Sequence, residues 1–143
     1  MRRVRTRTLG LSDLDVPVVG LGCNNFGSRT DEAASRAVID AALDAGVTFF
    51  DTADVYGNRG GSEEIIGRAL EGRRDQVILA TKFGHDLGDG ETRRGSREYI
   101  RRALDASLRR LRTDRIDLYQ YHRPDGVTPL EETLEALHEL VQE

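Results

Sequence analysis

A strand and the loop that leaves it are encoded by Val47-Thr48-Phe49-Phe50-Asp51-Thr52-Ala53-Asp54-Val55-Tyr56-Gly57. The apolar run 47–50 is rich in β-branched and aromatic residues and follows a glycine, which predicts a buried strand. That strand delivers the carboxylate of Asp51 at its C-terminal end. Because the residues between Asp51 and Tyr56 form a loop, the chain can fold back and set the phenol beside the carboxylate. This arrangement predicts a functional site.

A second predicted strand carries the only lysine of the chain. The run 76–82 is apolar and ends in Lys82, whereas every other basic residue among the 21 lysines and arginines is an arginine. Arginine stays protonated in proteins, whereas a buried lysine changes its protonation readily. The use of lysine at this one position indicates a chemical role. The alternative is that one lysine remains among the arginines by chance.

Length and composition predict one domain without a membrane or nucleic-acid partner. The 143 residues suffice to bury about two-thirds of the surface of the unfolded chain. No apolar run approaches the roughly 20 residues that span a bilayer, and a net charge of −4 gives no electrostatic reason to bind nucleic acid. The basic start of the chain is not followed by an apolar segment, so we predict no signal peptide and a cytoplasmic location.

The cysteine and histidine residues of the chain argue against a disulfide bond and against a metal site. A single cysteine, Cys23, excludes an internal disulfide and fits a reducing compartment, where it is expected to act as a small apolar filler. The pair His85-Asp86 and the distant His122 lack the spacing of metal-ligand pairs. We therefore predict no metal site.

Four strand–helix units are predicted after a short hairpin. Residues 4–16 alternate loosely around turn residues, which predicts a hairpin within residues 1–16. Residues 17–143 are predicted to form the four units of a single partial domain. The predicted strands cover residues 16–22, 47–50, 76–82 and 116–122. The expected helix caps are Thr30, Ser62, Ser96 and Thr128, the last in a capping box with Pro129 at the first helical position.

The first and last helices each show an apolar spacing that predicts a buried face. In the first helix the spaced residues are Ala34, Val38, Ala41, Ala42 and Ala45. In the last helix they are Leu130, Leu134, Leu137 and Val141. Both sets recur at the helical period, so we expect them to face the sheet.

Repeated strand–helix units predict a parallel sheet, because each crossover returns the chain to the same edge. Asp51 and Lys82 are separated by about 31 residues, the length of one unit in an eight-unit barrel of about 250 residues. A doubly wound sheet has similar spacing. Four candidate residues, Cys23, Asp51, Lys82 and His122, all lie at or just past the C-terminal ends of predicted strands. One such residue from each of four successive strands favours the top of a barrel.

Two glycine-rich segments resemble nucleotide-binding motifs but miss a required residue. The run Gly20-Leu21-Gly22-Cys23-Asn24-Asn25 has asparagine at the third glycine position of the dinucleotide fingerprint. The run Gly57-Asn58-Arg59-Gly60-Gly61-Ser62 lacks the lysine of a phosphate-binding loop, and we interpret it as a flexible loop that enters a helix.

The four polar candidates have complementary chemistry. A phenol is a weak proton donor at neutral pH, and the ammonium group of Lys82 would stabilise the phenolate of Tyr56. Asp51 would supply the counter-charge that a buried lysine needs. His122 can hydrogen-bond the oxygen that receives the proton. Together these groups predict an acid catalyst directed at a carbonyl oxygen.

The sequence resembles the aldo-keto reductases over essentially its whole length. The resemblance rests on four motifs in matching order: Gly20-Leu21-Gly22, Phe50-Asp51-Thr52-Ala53-Asp54-Val55-Tyr56-Gly57, Ala80-Thr81-Lys82-Phe83-Gly84 and Asp117-Leu118-Tyr119-Gln120-Tyr121-His122-Arg123-Pro124-Asp125. It implies the N-terminal half of a (β/α)8 TIM barrel, with four βα units preceded by the hairpin. Members of that family continue through four more strands.

The resemblance also implies a reaction and a set of site residues. It implies NADPH-dependent reduction of aldehydes or ketones, with Tyr56 as general acid, Asp51 and Lys82 as its tuning pair and His122 orienting the carbonyl. Residues matching the nicotinamide end of the NADPH site are Gly22, Cys23, Asn24 and Asp51. The substrate pocket is expected to include Phe26 beside Tyr56 and His122.

Two functional hypotheses of different class follow. In the first, the chain is the N-terminal half of a reductase that acts on a small carbonyl compound, completed by the missing C-terminal half. In the second, it is a non-catalytic half barrel that dimerises or binds a partner. Binding of NADPH distinguishes the two hypotheses.

Overall fold

The computed structural model describes residues 4–143 and shows an α/β fold in which helices follow the strands of a parallel sheet. The hairpin strands are β1 (Thr6–Thr8) and β2 (Asp15–Pro17), and the sheet strands are β3 (Leu21–Gly22), β4 (Phe49–Asp51), β5 (Ile78–Phe83) and β6 (Leu118–Tyr121). The helices are α1 (Glu32–Asp44), α2 (Tyr56–Ala69), α3 (Arg97–Leu111) and α4 (Leu130–Gln142), with a short 3-10 turn at Arg74–Gln76.

The four sheet strands lie in chain order, β3-β4-β5-β6, and all run parallel. This order confirms the predicted half barrel, because each crossover moves the chain one strand along the sheet. The register pairs Gly22 with Asp51 and Lys82 with Gln120. The C-terminal ends of neighbouring strands therefore lie side by side.

Two apolar clusters hold these strand ends in place. Phe50 and Leu79 are fully buried in the first cluster, which includes residues of α1 and α2. In the second cluster the ring of Phe83 stacks between Tyr119 and Tyr121, with 4.9 Å between ring centroids in each pair. Burial of such aromatic rings is among the larger packing contributions in a protein core.

The predicted hairpin is present, but the strand predicted at 16–22 is split between two sheets. Val16 and Pro17 pair with β1, and Val18 extends that ladder by donating its N–H to the carbonyl of Arg5 at 2.9 Å. A bend at exposed Val18 and Val19 then separates β2 from β3. Residues 1–3 of the predicted hairpin lie outside the described residues.

Three of the four predicted helix caps are wrong, and the reason is the same in each case. The predicted hydroxyl is engaged elsewhere: Thr30 binds Ser35 at 2.8 Å, Ser62 donates to the Cys23 carbonyl at 2.8 Å, and Thr128 donates to Asp125 at 2.8 Å. Asp31 caps α1 instead by accepting from the N–H of Ala34. The fourth prediction is confirmed, because Ser96 accepts from the N–H of Tyr99.

The buried faces of the outer helices also differ from those predicted. In α1 the buried residues are Ser35 and Ile39, whereas Val38 on the predicted face is 41% exposed. Ile39 brings more apolar area to the sheet than the alanines of the predicted face, and the hydroxyl of Ser35 is satisfied by Thr30. In α4 the buried residues are Thr133 and Ala136. Three apolar residues of its predicted face are exposed, namely Leu130, Leu134 and Val141.

None of the four helices described within residues 4–143 is both long and apolar enough to span a bilayer.

Candidate active site

The parallel sheet brings all four predicted catalytic side chains to one edge. Asp51 ends β4, Lys82 lies near the end of β5, His122 directly follows β6, and Tyr56 begins α2. The N–H of His122 donates to the carbonyl of Phe83 at 2.8 Å, which extends the β5–β6 pairing to the histidine. The backbone ladder thus sets the relative positions of residues that are far apart in the sequence.

Lys82 is held by two acceptors. Its Nζ donates to Asp51 Oδ1 at 2.7 Å and to the carbonyl of Thr52 at 2.9 Å. The lysine side chain is only 13% exposed, so a charge partner is needed to offset its desolvation. The counter-charge predicted from the sequence is therefore present, with an additional backbone acceptor.

Gln120 was not predicted as a site residue, but its side chain also contacts Asp51. Its Nε2 donates to Asp51 Oδ1 at 3.3 Å. A sequence signal existed, because residues two apart on a strand share a face and Gln120 precedes His122 by two positions. Asp51 thus accepts from one cation and one amide, which restricts the orientation of its carboxylate.

Tyr56 lies between the cation and the imidazole. Lys82 Nζ is 5.2 Å from the centroid of the Tyr56 ring, within the range of a cation–π contact. The ring of His122 meets that of Tyr56 edge-on, at 5.7 Å between centroids and an angle of 87°. An ammonium group, a phenol and an imidazole therefore lie side by side at the C-terminal ends of the strands.

The glycine-rich segment after Tyr56 is a tight left-handed turn rather than the predicted flexible loop. Gly57, Asn58, Arg59 and Gly60 all have positive φ, from 60° to 107°. A Cβ atom on Gly57 would lie 2.4 Å from the backbone nitrogen of Ser62 and 2.5 Å from the carbonyl oxygen of Phe26. Only glycine fits there, and this close packing fixes the chain directly after the tyrosine.

The surroundings of His122 favour its neutral form. Burial lowers its pKa below the ordinary value, and the charges of Lys82 and His85 lower it further, while Asp51 acts in the opposite direction. The ring of His85 lies 5.2 Å from that of His122 between centroids. Within residues 4–143, buried Nδ1 of His122 has no hydrogen-bond partner. A neutral imidazole can offer one N–H to a ligand oxygen.

The predicted cofactor and pocket residues occupy different environments. Gly22 is exposed, and a Cβ atom there would meet nothing within 4 Å. Asn24 is exposed and lines the cleft beside Tyr56. Cys23 is fully buried, and burial together with the charge of Asp51 raises its pKa to about 12, so it remains a thiol.

Phe26 lies in the core rather than in the cleft wall where it was expected. Only 3% of the residue is exposed, and it packs in the apolar cluster with Cys23 and Phe50. Its carbonyl oxygen lies against Gly57 of the turn that follows the tyrosine. Phe26 therefore acts on the site by packing beneath it.

A cleft of about 470 Å³ opens beside the tyrosine. Its lining residues come from the loops that follow β3, β4, β5 and β6, as expected for a site at the C-terminal end of a parallel sheet. They are Asn24, Ser28, Val55, Tyr56, Gly57, Asn58, Arg59, His85 and His122.

A buried acidic cluster beneath this region was not predicted. Glu63 is fully buried and accepts from Thr81 Oγ1 at 2.6 Å and from Arg110 Nε at 2.7 Å. Asp54 is 2% exposed, and its Oδ1 has no hydrogen-bond partner within residues 4–143, as is also true of the Tyr119 hydroxyl. Burial and the nearby Glu63 raise the pKa of Asp54 to about 7.

This raised pKa makes the stability of the protein depend on pH. The folded chain holds a proton on Asp54 that the unfolded chain releases near pH 4, so the free energy of unfolding falls as pH rises from about 4 to about 7. Asp54→Asn should therefore raise the free energy of unfolding by on the order of 2 kcal/mol at about pH 8 and much less at about pH 5. Urea titrations at both pH values measure the effect.

The exposed Asp105 of α3 offers a matched control, since Asp105→Asn removes the same charge from a solvated position. An equal change in unfolding free energy at both pH values for Asp54→Asn would show that the buried carboxyl does not titrate in this range.

Comparison with known proteins identifies the fold and its relatives. The model of the Aldo/keto reductase family matches residues 18–143. The uncharacterized oxidoreductase YqkF of Bacillus subtilis is 46% identical over 143 residues, which cover 98% of this chain and 46% of YqkF.

Two solved structures are similar in both fold and sequence. The holo form of aldo-keto reductase AKR11C1 from Bacillus halodurans superimposes with a TM-score of 0.86 and 42% identity, over 98% of this chain and 47% of that protein. An aldo-keto reductase from Klebsiella pneumoniae in complex with NADPH gives a TM-score of 0.78 and 37% identity, over 90% and 42% respectively. The chain thus spans slightly less than half the length of these relatives.

Proposed function

The chain belongs to the aldo-keto reductase family, and from this we propose that the protein reduces aldehyde or ketone carbonyls to alcohols with NADPH. The solved relative from Klebsiella pneumoniae is a complex with NADPH, which supports this choice of cofactor. We further propose that residues 17–143 supply the first four βα units of one barrel domain and that residues 1–16 supply its hairpin.

One observation carries the proposal: Lys82 Nζ is fixed between Asp51 and the Thr52 carbonyl while lying 5.2 Å from the centroid of the Tyr56 ring. In this position the ammonium stabilises negative charge that develops on the phenolic oxygen as the proton leaves. A phenol supported in this way can act as general acid toward a carbonyl.

Two of the cofactor residues inferred from the family, Gly22 and Asn24, are exposed, and this supports their proposed contact with the nicotinamide end of NADPH. Gly22 lies at a strand end with open space where a side chain would project, so a flat ring can approach the backbone beside Asp51. Asn24 is exposed at the cleft and has an amide that can donate and accept. The side chain of Cys23 is a buried thiol that contributes packing. Its backbone N–H donates to the Asp51 carbonyl at 2.9 Å.

Each catalytic side chain then has one task. NADPH, when bound, supplies the hydride to the carbonyl carbon. Tyr56 donates its phenolic proton to the carbonyl oxygen, and the neutral His122 donates a hydrogen bond to the same oxygen and orients it. Asp51 holds the ammonium group of Lys82 in place, and Gln120 supports the Asp51 carboxylate.

The experiment that tests this function uses the full product of the gene. Binding of NADPH should quench or enhance fluorescence in a saturable manner. The absorbance of NADPH should then decline when each member of a panel of aldehydes and ketones is added. Binding without any carbonyl reduction across the panel would contradict the proposed reaction. Absence of binding would contradict the cofactor assignment as well.

A second candidate function is supported by the exposed apolar residues of α4. Leu130, Leu134 and Val141 are each more than half exposed, and they form a face that another protein surface can cover. In this alternative the chain is a non-catalytic half barrel that dimerises or binds a partner. A defined dimer by sedimentation, combined with no NADPH binding and no carbonyl reduction, would favour the alternative.

A further inference from the structure

The cleft beside Tyr56 is lined by one arginine, Arg59, that the proposed reaction does not use. Its described lining includes Arg59, His85 and His122 but no carboxylate side chain. The whole chain, by contrast, carries a net charge of −4. An anionic substrate that enters this cleft therefore meets a guanidinium group and no carboxylate of the described lining.

Arg59 is held in a conformation that non-glycine residues seldom adopt. Its φ of 71° and ψ of 64° place it within the left-handed turn that follows Tyr56. The turn is fixed at one end by the packing of Gly57, and the Asn58 amide donates to the Gly27 carbonyl at 3.4 Å. Surrounding contacts thus maintain a strained residue next to the reacting groups, which is a recurrent feature of functional sites.

The guanidinium group of Arg59 lies close to the loop that follows β5. Its Nη2 lies 2.9 Å from the position that a Cβ atom on Gly88 would take, so it lies against the segment that also carries His85. Its neighbours Arg94 and Arg110 are paired with Asp89 and Glu63, whereas Arg59 forms no ion pair with any residue of the part of the chain that the structure describes. Among residues 4–143, the Arg59 guanidinium is therefore not engaged by a carboxylate and can contact a ligand.

We propose that Arg59 selects carbonyl substrates that carry a carboxylate group, and this inference rests on the reductase function proposed above. The planar guanidinium fork matches a carboxylate in bidentate geometry. With the carbonyl oxygen at Tyr56 and His122, the carboxylate lies toward the left-handed turn, separated from the carbonyl by a spacer such as a benzene ring. Arg59 is a specificity-determining residue in this arrangement, and the chemical step does not use it.

The test compares two aldehydes of nearly the same shape, 4-formylbenzoate and its neutral methyl ester. Their dissociation constants are measured on the full gene product with oxidised cofactor present, from the shifts of the His85 and His122 ring resonances in NMR spectra. His138 on the exposed side of α4 is an internal control that should not shift. The wild-type protein should bind the acid at least roughly tenfold more tightly than the ester, as expected for a charge-assisted bidentate contact.

The variants isolate the contribution of Arg59. Arg59→Gln should reduce the acid-to-ester preference by at least about fivefold, and Arg59→Lys should retain part of it because the charge remains without the fork. Arg109→Gln removes the same charge from the exposed face of α3 and should leave the preference unchanged. Equal binding of both aldehydes by the wild-type protein, or an unchanged preference in Arg59→Gln, would overturn the proposal.

Reduction of the two aldehydes is measured separately. A retained binding preference without any reduction supports carboxylate selection by Arg59 and contradicts the reductase function. Reduction of both aldehydes with no preference contradicts the role of Arg59 and leaves the reductase function in place.

Discussion

Replacement of Tyr56 by phenylalanine is expected to slow carbonyl reduction by two or more orders of magnitude while NADPH still binds. The substitution removes only the hydroxyl, which is the proposed proton donor, and general acid catalysis contributes on the order of 100-fold to 10,000-fold. The ring remains to contact Lys82 and His122, so the shape of the cleft should persist. Steady-state rates and NADPH affinity, measured on the same preparation, separate loss of chemistry from loss of binding.

Tyr119 provides a matched control for this substitution. Its hydroxyl is buried without a hydrogen-bond partner in the described residues, and its ring stacks on Phe83, away from the cleft. Tyr119→Phe therefore removes the same atom without breaking a hydrogen bond within the described residues, and turnover should be retained. Near-normal turnover by Tyr56→Phe would exclude the tyrosine as the general acid.

Lys82→Arg is expected to lose activity to a similar extent although the charge is kept. The two acceptors of Lys82 lie at 2.7 Å and 2.9 Å from a single nitrogen, in a site where the side chain is only 13% exposed. A guanidinium group is larger and planar, and its nitrogens cannot all occupy the place of one ammonium. We expect at least roughly a 100-fold decrease in turnover, because the cation no longer stabilises the phenolate of Tyr56.

A fold check accompanies this variant. The wild-type protein and Lys82→Arg should give similar secondary structure by circular dichroism, and the variant should still bind NADPH. If Lys82→Arg is folded and retains most of its turnover, the requirement for a compact ammonium at this position is wrong, and so is the interpretation drawn from the solitary lysine.

Much of the site was predictable because its residues mark strand ends. Asp51 and Lys82 each terminate an apolar run, and in a parallel sheet the ends of such runs meet at one edge. The ion pair between them could therefore be predicted without knowing a single distance. Prediction was weaker for the helices, because Thr30, Ser62 and Thr128 all have good capping chemistry but use their hydroxyls in longer-range contacts.

The order of the four strands and the residues that end them depend on local patterns of apolar and polar residues. Such local patterns are visible in the sequence alone. The partners of individual side chains depend on which distant segments meet. Gln120 reaches Asp51 because strand pairing places β4 and β6 on either side of β5. The pKa of Asp54 is raised because folding buries its carboxyl group near Glu63. The left-handed turn after Tyr56 likewise exists because Gly57 packs against the backbone of Phe26. Hydrogen bonding and desolvation act between residues far apart in sequence, so only the folded chain specifies them.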